Sequence, residues 1–111
     1  MKIIKCGNDE GVVFDNGNSL YDYHTADCCE NNYADWDQLE ESALNYNFDE
    51  DSFKVVPNDY GFRFGDKNRT FFVPCYSIQN GYYSSDVTIV YTDKDDKIIN
   101  EEHIECSWVN G

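Results

Sequence analysis

Tyr33-Ala34-Asp35-Trp36-Asp37-Gln38-Leu39-Glu40-Glu41-Ser42-Ala43-Leu44 decides the fold of this 111-residue chain, because its apolar residues recur at helical rather than alternating spacing. Placed at ~100° per residue, Trp36, Leu39 and Ala43 share one face with Tyr33 and Leu44 at its margin, while Asp35, Asp37 and Glu41 point away. Asn31 or Asn32 would serve as N-cap, and Asp35 and Asp37 suit the positive end of a helix dipole. The spacing predicts a helix over residues 33–44. Glu40 falls inside the apolar arc, either as a side chain snorkelling to the rim or as a carboxylate kept for a partner or ion.

On both sides of that segment the pattern is that of strands. Residues 2–6, 11–14 and 19–24 read as an opening β-meander, with Asp15-Asn16-Gly17-Asn18 as a turn whose Asn-Gly tolerates the positive φ of a type I′ hairpin. After an acidic loop over 47–51, residues 53–56, 60–64, 70–76, 86–92 and 97–106 have strand character, and 93–96 form a turn. Strands, one helix and more strands describe an α+β fold: a single domain over 1–111 with a twisted antiparallel sheet and one main helix on one face. Nine Tyr, seven Phe and two Trp supply a core of rings.

Charge narrows the function. From Cys6 to Phe53 there are thirteen carboxylates and no Lys or Arg, and the whole chain carries a net charge of -14. Such a field is relieved by salt, a metal or a basic partner, and it disfavours direct binding to nucleic acid. No apolar run approaches the roughly 20 residues of a spanning helix, and the first residues are charged, so a cytoplasmic protein without membrane contact is expected. Five cysteines, two of them adjacent (Cys28 and Cys29), point to reduced thiols rather than a disulfide framework.

Two segments could carry chemistry. His24-x3-Cys28, with Cys29, has metal-site spacing, and His103-x2-Cys106 could complete a zinc set; this is the alternative reading, a zinc-binding structural or sensor module. A catalytic thiol at Cys28 or Cys29 is opposed by the surrounding carboxylates, which disfavour thiolate. The acidic stretches lack the Asp-x-Asp-x-Asp-Gly calcium loop, and there is no phosphate loop or nucleophile elbow, so no enzyme and no cofactor is expected. Around Asn80-Gly81, Tyr76, Tyr82 and Tyr83 gather at a strand end, either packing the sheet or anchoring a partner.

Phe14-Asp15-Asn16-Gly17, His24-x2-Asp27-Cys28-Cys29-Glu30 and Cys75-Tyr76-Ser77-x-Gln79-Asn80-Gly81-Tyr82-Tyr83-Ser84 together resemble a family of small, acidic, uncharacterised proteins of bacteria and their phages. The similarity spans most of the chain. The resemblance implies a phage or mobile-element setting in a host bacterial cell, and small acidic phage proteins as a class include anti-CRISPR and other anti-defence inhibitors. The expected function is therefore an inhibitor that meets a basic nucleic-acid-binding protein, such as a CRISPR effector, with carboxylates in place of phosphates. Asp35, Asp37, Glu40, Glu41, Asp49, Glu50 and Asp51, with Tyr82 and Tyr83, are the residues expected to touch that partner. A helix would space Asp37 and Glu41 at about 1.5 Å of rise per residue, near the charge spacing of about 1.7 Å along duplex DNA.

Overall fold

The computed structural model describes residues 1–8, 10–23, 31–79 and 85–110. Among the described residues ten strands follow in chain order: β1 (Ile3–Gly7), β2 (Gly11–Phe14), β3 (Ser19–Tyr23), β4 (Asn31–Ala34), β5 (Lys54–Asn58), β6 (Gly61–Gly65), β7 (Thr70–Gln79), β8 (Asp86–Thr92), β9 (Ile98–Glu105) and β10 (Ser107–Asn110). One five-stranded sheet has the order β1-β2-β3-β8-β9; the other runs β10-β7-β6-β5, with β4 also paired to β7. All pairings are antiparallel except β10 against β7.

Alternation builds both sheets. Along β7, Phe71, Val73, Cys75 and Ser77 are buried while Phe72, Pro74, Tyr76 and Ile78 are only partly so, the period of two that a strand imposes. Phe62 and Phe64 of β6 and Val87, Ile89 and Tyr91 of β8 repeat the pattern, and with Val12, Phe14, Leu20 and Ile104 they form one core drawn from both sheets. Phe48 sits among Phe14, Phe53, Phe64 and Phe71 with ring centroids 5.6–5.8 Å apart, a spacing at which edge and tilted contacts of aromatic rings are favourable. Pro74, which has no N–H, stands where β7 changes partner: it is opposite Gly61, the last β7 position paired to β6 before β4 takes over at Cys75.

The helix expected over 33–44 is absent, and with it the α+β assignment: the fold is nearly all β. Residues 31–34 are strand β4 instead. Beyond them the chain makes three short 3-10 turns, Trp36–Gln38, Glu41–Asn45 and Glu50–Ser52, the longest helical stretch among the described residues being five residues. Extended backbone at Leu39 (ψ 132°), Glu40 (ψ 131°) and Tyr46 (ψ 136°) separates them. The physical reason is competition. Asp22 of β3 accepts hydrogen bonds from Ala34 N (3.0 Å) and Trp36 Nε1 (2.9 Å), which holds that corner out of a helical path. A helix would also set Asp37 over Glu41 with no cation in reach along the segment, a like-charge pair at i, i+4. The burial pattern nevertheless survives: Trp36 and Ala43 are buried and Leu39 is packed against the core.

Turn chemistry differs from expectation in one place. At Asp15-Asn16-Gly17-Asn18 only Gly17 has positive φ (91°), so this is not a type I′ turn. The two-residue turn with both φ positive joins β5 to β6 at Asp59 (31°) and Tyr60 (58°). Gly11 (φ 71°) is required by contact as well, since a Cβ there would collide with the Leu20 carbonyl oxygen and lie 2.9 Å from Tyr21 Cα.

Candidate functional site

The acidic ribbon over residues 34–52 is held by side chains from every side. Asn8, in the β1–β2 turn, donates to both Asp37 (3.0 Å) and Asp35 (3.4 Å) and accepts from Asp37 N (3.2 Å), so one amide ties two carboxylates together. Gln38 bridges Asp35 (2.7 Å) to the Tyr76 hydroxyl (3.0 Å), whose ring lies 5.9 Å from that of Tyr33. Glu40 is exposed and pairs with Arg69 at 3.2 Å; Arg69 also donates to Ser42 and lies 4.6 Å over the Phe71 ring. Glu40 thus lies at the surface on extended backbone, and with no helix there it occupies no apolar arc.

Further along, Asp66 staples the ribbon to the β6–β7 turn. Its buried carboxylate accepts from the Tyr46 hydroxyl (2.9 and 3.0 Å) and from the backbone N–H groups of Asp49 (2.8 Å), Asn68 (2.9 Å) and Arg69 (3.0 Å). Burial by itself raises the carboxyl's pKa, but the Asp49, Asn68 and Arg69 amides and the Tyr46 hydroxyl outweigh it and hold it at about 2. The Tyr46 phenol is pushed up, first by burial and then by its hydrogen bond to that carboxylate. Asp49 turns its carboxylate inward on the third turn, accepting from Ser52 Oγ (2.9 Å) and Asp51 N (3.3 Å), and Glu50 accepts from Asn16 Nδ2 (2.9 Å).

The seven acids expected to meet a partner therefore divide. Asp35, Asp37, Glu40, Asp49 and Glu50 accept hydrogen bonds within the chain. Among the described residues the carboxylates of Glu41 and Asp51 have no such partner, and both residues are exposed. In a 3-10 turn residues three apart eclipse, so Glu41 and Leu44 stand on one side of their turn. Leu44 and Ile4 are exposed at 41% and 62%, and a shallow cleft of about 190 Å³ lies between Ile3, Ile4, Lys5, Cys6 and Leu44. Partial burial and then the Asp37 charge raise the Cys6 thiol above its ordinary value.

The zinc set is not assembled by the described part of the chain. His103 is exposed on β9, its ring nitrogen 3.2 Å from Thr88 Oγ1, whereas Ile104 and Cys106 are buried, so His103 and Cys106 face opposite ways. No group of three or more His, Cys, Asp or Glu among the described residues could hold a metal ion. His24, Cys28 and Cys29, and likewise Tyr82, Tyr83 and the Asn80-Gly81 turn, lie outside the described residues. Among the described residues, no helix is long and apolar enough to cross a membrane.

Sequence reasoning missed Asp22, Asp66 and Asn8 as the residues that shape the ribbon. Asp66 left a trace in Gly65-Asp66-Lys67-Asn68, since an Asp opening a turn hydrogen-bonds the amides that follow it. Nothing local marks Asp22 or Asn8, whose partners are distant in the chain. No family model, curated protein or solved structure was found to match this chain.

Proposed function

We propose that this protein is an inhibitor that binds a nucleic-acid-processing protein, such as a CRISPR effector, through an acidic surface standing in for phosphates. It would act in the phage or mobile-element setting implied by the resemblance. The observation that carries this reading is the exclusion of Lys and Arg from residues 6–53 beside thirteen carboxylates, a bias that solubility does not require. Glu41 and Asp51 support it further, because among the described residues their carboxylates have no hydrogen-bond partner. The helical spacing of charges falls away with the helix. What supports mimicry instead is a ribbon of turns whose backbone is held by Asn8 at Asp37 and by Asp66 at Asp49, which lowers the entropy lost on binding. Binding of this kind needs no catalytic residue.

A tagged pull-down from a bacterial lysate containing CRISPR effectors and other DNA enzymes, with and without competitor DNA, tests the reading. Capture of a basic nucleic-acid enzyme that the DNA displaces is the expected result. The paired variant Glu41→Lys and Asp51→Lys should fold as the parent does and lose that capture. Undiminished capture by the variant, or capture unaffected by DNA, would overturn phosphate mimicry.

A further inference from the structure

Strand β7 is shared by β4, β6 and β10, and two thiols meet beside it. Cys75 points inward with Phe71, Val73 and Ser77 and has no exposed surface; Cys106, at the β9–β10 junction, is 2% exposed. Parallel pairing of β10 begins with Ser107 opposite Tyr76, so Cys106 stands one residue before that pair and next to Cys75. The Cys106 amide donates to the Ser85 carbonyl at 2.7 Å, which fixes the junction, and the Cys106 thiol donates weakly to the Ile104 carbonyl at 3.9 Å. Neighbouring strands lie about 4.8 Å apart, inside the roughly 4.4–6.8 Å between Cα atoms that a disulfide spans.

We infer that Cys75 and Cys106 form a dithiol site that a peroxide-class oxidant converts to an internal disulfide. One sulfur, as thiolate, attacks a peroxide oxygen: an S–O bond forms, the O–O bond breaks, and the departing hydroxide takes a proton to leave as water. The second sulfur then attacks the resulting sulfenic sulfur, forming S–S and breaking S–O. A second water leaves with the remaining thiol proton. The sulfurs together lose two electrons and the peroxide gains them.

The bond would close a loop holding β8 and β9, which belong to the first sheet, onto the central strand of the second. It would therefore tie the β9–β10 junction, where the chain passes from the first sheet to the second, to β7. The Cys106 contact and then burial both raise the Cys75 thiol, so the reaction awaits transient opening of the four-residue β10 and is slow.

The variant Cys6→Ser, Cys28→Ser, Cys29→Ser keeps only this pair. Treated with hydrogen peroxide, it should lose about 2 Da as a monomer, the balance for two thiols becoming one disulfide. A peptide joining Cys75 to Cys106 should appear in a non-reducing digest. Its Tm should rise by roughly 5–15 °C and return on reduction, as expected for a cross-link closing a loop of this length. Addition of oxygen without a cross-link, or a dimer joined between chains, would overturn the assignment. The wild-type chain, digested after the same treatment, gives an independent reading: Cys75 and Cys106 recovered as separate alkylated thiols while the other cysteines are oxidised would also overturn it.

Discussion

Strand β7 and the acidic ribbon that follows β4 are built on different principles. In β7 each residue's place follows from its own position, because alternation along ten residues sends Phe71, Val73, Cys75 and Ser77 inward whatever lies far off in the chain. The ribbon buries comparable side chains, Trp36, Ala43 and Phe48, yet its path is dictated by single polar groups on other elements: Asp22, Asn8 and Asp66. A hydrophobic pattern says which residues go inside. It does not say which backbone carries them there.

The comparison is broken most directly by removing one ring from the sheet core. Phe64→Ala takes a fully buried side chain from beside Phe48, Phe53, Phe62 and Phe71 and should cost about 3–5 kcal/mol, measured by urea unfolding. The loss should be global, with sheet and ribbon unfolding together, since Phe48 belongs to both. Retention of sheet signal after the ribbon has melted would mean that the two regions are not one cooperative unit.

Asp66→Asn addresses the ribbon. The amide can still accept at one oxygen, but an NH₂ in place of Oδ2 cannot accept from the Asp49 N–H or the Tyr46 hydroxyl, so a loss of about 2–3 kcal/mol is expected. Hydrogen exchange should rise at Asp49, Asn68 and Arg69 before it rises along β7. Acid sharpens the point. With the folded-state pKa near 2 and an unfolded one near 3.9, the unfolded chain binds the proton first. The stabilisation from Asp66 is thus complete above about pH 4, declines as pH falls, and is gone below about pH 2. Wild type should lose its advantage over Asp66→Asn across that window, and a constant difference down to pH 1.5 would remove the carboxylate from its assigned role.

The same contrast explains what the sequence disclosed. Strand positions were legible to within a residue or two at β2, β3 and β8, where period-two runs end in turn residues. The α+β reading failed because Trp36, Leu39 and Ala43 satisfy helical spacing and a chain of 3-10 turns equally well. The deciding bonds, Asp22 to Trp36 and Asp66 to Asp49, come from outside the window. Strand β10 was missed because Ser107–Asn110 is four residues long and gains its identity only from lying parallel to β7. Of the acids chosen as a binding surface, composition could not separate Asp49, which caps a turn, from Glu41 and Asp51, whose carboxylates have no partner among the described residues.

A smaller effect is expected at the β5–β6 turn, where regular sheet meets irregular backbone. Tyr60 is 56% exposed at φ 58°, a conformation unfavourable to a residue with a Cβ. Tyr60→Gly should stabilise the protein by about 0.5–1 kcal/mol, the relief of strain less the added freedom of glycine in the unfolded chain. Tyr60→Ala keeps the strain and should bring no gain. Equal stabilisation by both would place the effect in the ring rather than in the backbone.

Glu40 should matter least to folding, and its smallness is informative. Its pair with Arg69 has side chains 61% and 45% exposed, so solvent screens the attraction, and Arg69 keeps Ser42 and the Phe71 ring if the carboxylate is neutralised. Glu40→Gln should therefore cost no more than about 0.5 kcal/mol in low salt, and the difference should vanish in molar NaCl. A loss above about 1.5 kcal/mol that persists in salt would instead make Glu40–Arg69 a staple comparable to Asp66. The expected result separates two kinds of acid within one ribbon: those, like Asp66, whose charge the fold requires, and those, like Glu40 and still more Glu41 and Asp51, whose charge folding leaves unused. Only the second kind can be given to a partner without cost to the structure, so charge reversals aimed at binding belong there.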